Sequence, residues 1–151
     1  FHYCGVIKEK DTLNKLSDLS VVIHGGEKPL SFPEYRQSIQ NLDYVVLLLD
    51  KKSYEFRVSG TLIDSVNNER PVIVLSNKYS DEVFDEFGNI GYLCESFDDM
   101  CRQIQMIITG YDENEYFEQV QNMRNMKKVL TVDYVAQEIR RQMSMCGGKN
   151  T

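Results

Sequence analysis

Two apolar runs in the middle of the chain, residues 44–49 (YVVLLL) and 71–75 (PVIVL), set the reading of everything around them. Each is of strand length and rich in Val, Ile and Leu. Neither alternates with polar residues, and a strand covered on both faces of a parallel sheet reads this way. Between them a polar loop over 50–57 leads to Ser59, Gly60 and Thr61. Apolar residues then return at helical spacing from Leu62 to Asn68. Strand, loop, small-residue turn, helix and strand make a βαβ unit. Its first loop opens at the carboxyl edge of the sheet, where ligands bind in folds of this kind.

The same alternation runs through the first 110 residues. Further strands are predicted over 1–7, 20–24 (SVVIH) and 90–94, with Gly25 and Gly26 stopping the second. Helices are predicted over 12–19, from Ser31 with Pro33 in its first turn and Glu34 three residues after the cap, over 59–68, over 80–87, and from Ser96 to Gly110. In the second of these Tyr35, Ile39 and Leu42 face inward. After Gly110 no strand pattern remains: two charged helices are expected over 113–127 and 132–145, then a disordered tail over 147–151. Five strands alternating with helices predict an α/β, Rossmann-like, open parallel sheet of about five strands, with helices on both faces and a C-terminal helical extension. The expected division is one domain over 1–110 and a helical part over 111–146. That part packs on the domain or reaches to a partner domain missing from this chain.

Composition narrows the function. The 151 residues carry a net charge of −6, which argues against nucleic acid as a partner, since a general binder carries a basic face. No apolar run approaches the roughly 20 residues that cross a bilayer, and no signal pattern opens the chain, so no transmembrane segment and a cytoplasmic location are expected. The first residue is not methionine and lies almost inside a strand, as in a piece of a longer protein. Cys4, Cys94, Cys101 and Cys146 show no C-x-x-C spacing and read as free thiols, and two histidines are too few for a histidine-rich metal site. No metal or cofactor is expected.

Chemistry concentrates after the first apolar run. Ser59, Gly60 and Thr61 place backbone N–H groups and two hydroxyls at a helix start, an anion or phosphate site, or equally an ordinary cap with a small residue beside it. Arg57, two residues earlier, has the fork that matches phosphate oxygens, unless Glu55 or Asp50 pairs with it. Tyr54 can stack on a ligand or anchor the loop. Asp64 lies one turn past Gly60 and can accept from ribose hydroxyls or favour the helix dipole. His24 ends a strand at the same edge and reads as structural. The pairs Asp98-Asp99 and Asp85-Glu86 read as solvated surface. A Walker loop, a G-x-G-x-x-G turn and a G-x-S-x-G elbow are all absent.

From Glu34 to Leu75 the sequence resembles the donor-binding half of GT-B-type glycosyltransferases. Leu42-Asp43-Tyr44 resembles the start of that family's central strand, Ser59-Gly60-Thr61-Leu62 its helix start, and Arg70-Pro71-Val72-Ile73 its next strand. Gly88-Asn89-Ile90-Gly91-Tyr92 is similar to the strand that follows. The resemblance implies a two-domain enzyme whose C-terminal, Rossmann-like half binds a nucleotide-sugar, with the acceptor mostly on an N-terminal domain. It implies that Arg57, Ser59, Gly60 and Thr61 contact the donor diphosphate, that Asp64 and Tyr54 hold the ribose or nucleoside, and that no obligatory metal takes part. This chain departs from the family in two places: Phe56 stands eight residues before Asp64, where many members carry glutamate, and Asn68-Glu69 replaces the small residue after the helix. The turn is also similar to the C-terminal half of UDP-N-acetylglucosamine 2-epimerases. A non-catalytic doubly wound binding module is the remaining alternative.

Overall fold

The computed structural model describes residues 1–19, 21–49, 54, 57–110 and 112–147. The loop expected over 50–57 falls largely outside the described residues, with Glu55 and Phe56, and so does the tail from residue 148. Contacts divide the chain into Phe1–Asp43 and Tyr44–Thr151.

In the first unit β1 (His2–Val6) pairs in parallel with β2 (Val22–Gly26), joined by α1 (Lys10–Asp18) and followed by α2 (Phe32–Gln40). Ser31 starts α2 as its sequence predicts: Glu34 reaches back to accept from the Ser31 amide and hydroxyl, and Pro33 sits in the first turn. Gly25 and Gly26 do not stop β2 but belong to it. At Gly25, with φ +94°, a Cβ would meet the carbonyl oxygen of Gly5 at 2.8 Å, so only glycine lets the two strands approach there.

The second unit holds β3 (Val45–Leu47), α3 (Gly60–Asn67), β4 (Val72–Leu75), α4 (Lys78–Phe87), β5 (Gly91–Cys94), α5 (Phe97–Thr109), α6 (Glu113–Val129) and α7 (Val132–Gly147). Its strands are parallel in the order β3-β4-β5. The fold is therefore α/β with parallel strands throughout, consistent with Rossmann-like winding. All five predicted strands form, but their ladders make sheets of two and three strands and not one sheet of about five. The central β4 is covered on both faces. Ile73 packs with Cys94 and Met100 of α5, while Val72 and Val74, which point the other way, are fully buried. The run at 44–49 reads differently in space. Val45, Leu47 and Leu49 are buried, but Val46 and Leu48 are 42% and 65% exposed, because β3 ends its sheet and is not sandwiched along its length.

α3 packs on β3, α4 on β5, and α5 on β4 and β5. α6 packs on α3 and α4 and runs past the amino edge of the sheet, where the turns into β4 and β5 lie. Four connections fix it there. The Tyr44 hydroxyl donates to Gln119 Oε1 (3.1 Å) and the Tyr92 hydroxyl to Glu115 (2.9 Å). Asn122 donates to the Asn89 carbonyl (2.8 Å), and Arg124 and Lys127 both reach Glu69 (2.8 and 3.1 Å). Met123, Met126 and Gln119 of α6 are buried.

Candidate functional site at the carboxyl edge of β3, β4 and β5

Three helices start at the carboxyl edge of this sheet, and each start is built by a side chain. Ser59 is the cap of α3: its hydroxyl accepts from the Leu62 amide at 3.2 Å and its carbonyl from the Ile63 amide. Ser59 is itself only 2% exposed, and its backbone hydrogen-bonds the Tyr79 hydroxyl of α4. Burial, the larger effect, pushes that hydroxyl above its ordinary range. Gly60 and Thr61 stand differently. Both are exposed, and among the described residues their amides have no hydrogen-bond partner. A Cβ at Gly60 would meet nothing within 4 Å, so this glycine is not there for close packing.

Arg57 is exposed and, among the described residues, makes no ion pair. Tyr54 and Asp64 are half-buried. Asp64 has its own polar contact, and its carbonyl also accepts from the Asn68 amide and side chain. The fold thus brings Arg57, Ser59, Gly60 and Thr61 to one strand-to-helix connection, with Asp64 one turn along α3. His24 belongs to the first unit and is described there by itself.

The start of α4 was not legible at Ser80, where the apolar spacing begins. The helix opens three residues earlier, on Asn77. Its Oδ1 accepts from the Tyr79 and Ser80 amides, and its own amide donates to the Ser80 hydroxyl. The Ser80 hydroxyl and the Asn77 side-chain amide also reach the Leu75 carbonyl at the end of β4, 3.0 Å each. Both residues are buried. The signal was the Asn-x-x-Ser spacing of a reciprocal cap, which Ser80 hides by being a good cap in its own right. Ser96 caps α5 as its sequence predicts, accepting from the Asp99 amide, and Gly110 ends it at φ +147°.

The carboxylates of this edge, Glu95, Asp98 and Asp99 among them, stand at the start of α5, with Asp81 in the first turn of α4. Burial, with Asp99 adding a smaller push, raises the Cys94 thiol to about 11, so it stays protonated at neutral pH and is no nucleophile. Among the described residues no three His, Cys, Asp or Glu side chains gather as metal ligands, and no helix is long and apolar enough to cross a membrane. What the start of α3 offers is hydrogen-bond donation and positive charge: two helix-start amides, one hydroxyl and one guanidinium. No protein-family model matches the chain, and the searches of curated proteins and of solved structures likewise give no match.

Proposed function

We propose that the unit beginning at Tyr44 is the donor-binding half of a GT-B-type glycosyltransferase, taking the diphosphate of a nucleotide-sugar at the start of α3. One observation carries the reading: the exposed amides of Gly60 and Thr61, without a hydrogen-bond partner among the described residues, beside Arg57 at the carboxyl edge of a parallel sheet. A helix start with free N–H groups favours an anion through both hydrogen bonding and the helix dipole, and a guanidinium binds phosphate oxygens in pairs. Ser59, buried and spent on its own helix, holds the turn in place. Asp64, one turn further along, is the acceptor for ribose hydroxyls, with Tyr54 beside the nucleoside. The resemblance of residues 34–75 to the family supplies the rest of the reading.

In this scheme catalysis is electrostatic. Negative charge grows on the leaving nucleoside diphosphate as the glycosidic bond breaks, and Arg57 with the two amides stabilises it. The acceptor and any general base belong to the partner domain, so this chain by itself binds nucleotide and transfers little sugar. Titration with UDP, GDP and UDP-sugars tests the reading. Binding of one of them is expected, weakened about tenfold or more in Arg57→Ala, the scale of a lost charged hydrogen bond. No nucleotide binding contradicts the reading. With the full enzyme, epimerisation of the donor without transfer places the chain among the epimerases.

A further inference from the structure

Thr131 starts α7: its hydroxyl accepts from the Tyr134 amide at 3.3 Å. Over residues 132–145 of this helix no side chain is buried, and only Ala136 and Glu138 are half-buried. Val132, Ala136, Ile139 and Met143 follow one another at spacings of four, three and four, which puts them in one stripe along the helix. Val132, Ile139 and Met143 are 55% to 85% exposed. A helix of 16 residues draws most of its stability in water from packing such a face. The stripe therefore calls for a partner, and its spacing is the seam of a two-helix coil.

The charges beside the stripe say which partner. Asp133 and Arg140 are seven residues apart and so lie on the same flank of the stripe, the acid near the start of the helix and the base two turns on. Among the described residues neither makes an ion pair, whereas Arg141, on the far face, is held by Glu138 at 2.6 Å. We propose that a second copy of this chain covers the stripe, its α7 running antiparallel to the first.

In that pairing Val132 stands against Met143 of the second copy, and Ala136 against its Ile139, so small and large side chains interlock. The same register brings Asp133 beside Arg140 of the second copy. The two-fold axis repeats the contact, so both flanking acids meet both flanking bases. Parallel pairing in register aligns acid with acid and base with base and forms neither ion pair. One helix face is smaller than the roughly 800 Å² per partner of a standard interface, so the dimer is reversible, with a dissociation constant on the order of 100 μM.

The test is sedimentation equilibrium of the whole chain from about 20 μM to about 1 mM, in reducing buffer at low salt. The mean mass should rise from one chain toward two. Ile139→Asp puts a charge on the seam and should weaken the dimer about tenfold or more. Asp133→Arg sets like charges together twice and should weaken it about fivefold. The exchange Asp133→Arg/Arg140→Asp should restore it, which distinguishes this register from any other use of the stripe. All three positions are exposed, so the variants keep the fold, and circular dichroism of dilute protein checks that. A chain that stays monomeric at the highest concentration, a dimer indifferent to Ile139→Asp, or an exchange that fails to restore association overturns the proposal.

Discussion

The two edges of the β3-β4-β5 sheet are built from the same kinds of residue and do opposite things. At the amino edge most polar groups are spent, though the buried Gln119 Nε2 has no hydrogen-bond partner among the described residues. Glu69 is held by Arg124 and Lys127, Asn89 by Asn122, and Tyr44 and Tyr92 by Gln119 and Glu115. Burial first, then the neighbouring Tyr92 hydroxyl, pushes Tyr44 far above the ordinary tyrosine range, so it works as a neutral hydrogen-bond donor. At the carboxyl edge the caps Ser59, Asn77 and Ser80 are buried and satisfied, but Gly60, Thr61 and Arg57 are exposed. A polar group paired and covered contributes to stability. One that is exposed and unpaired contributes little there and is available to a ligand.

Glu69 sharpens the contrast. It has φ +56°, a conformation that favours glycine, where the resembled family places a small residue. Two cations of α6 offset that strain.

Mutations can break the comparison in order of expected size. The largest effect belongs to Gly91→Ala. A Cβ there would lie 1.9 Å from the Val72 carbonyl oxygen, at φ +147°, so thermal unfolding should report a loss of about 3 kcal/mol or more. Next comes Gln119→Leu, which strips a fully buried acceptor from the Tyr44 hydroxyl. Denaturant unfolding should register about 1–3 kcal/mol.

Glu69→Gln is smaller, about 0.5–1 kcal/mol, because both cations are more than two-fifths exposed. The hydrogen bonds from Arg124 and then Lys127 hold the Glu69 carboxyl below its ordinary 4.5. Its stabilisation is therefore present above that value and lost as pH falls through the lower folded value. The difference between wild type and Glu69→Gln should be full at neutral pH and vanish in acid. The smallest effect is that of Gly60→Ala. Nothing lies near its Cβ, and stability should stay level or rise by about 0.5 kcal/mol. A large loss there would mean that the carboxyl edge is packed like the amino one.

Much of the fold was legible in the sequence because it rests on local rules. Ser31, Ser59 and Ser96 start helices, and Gly110 ends one. Strand pairing was not legible, since an apolar run says that a strand is buried but not which neighbour covers it. Thus 44–49 read as sandwiched, yet Val46 and Leu48 are exposed. Gly25 and Gly26 read as a stop because their role, a close approach to Gly5, is a contact distant in sequence. The path of α6 depends on side chains 23 to 75 residues away along the chain and has no local signature. At the candidate site, the sequence placed Arg57, Ser59, Gly60 and Thr61 together. It could not tell that Ser59 is buried while Gly60 and Thr61 are exposed, because that distinction arises from the packing of Tyr79 and α4.

The most direct test of the open carboxyl edge is amide-resolved NMR during titration with a nucleoside diphosphate. The largest shifts should fall on the Gly60 and Thr61 amides, should nearly vanish in Arg57→Ala, and should spare Glu69, Asn89 and Tyr92. No shift at Gly60 and Thr61, or a response centred on the amino edge, would contradict the account.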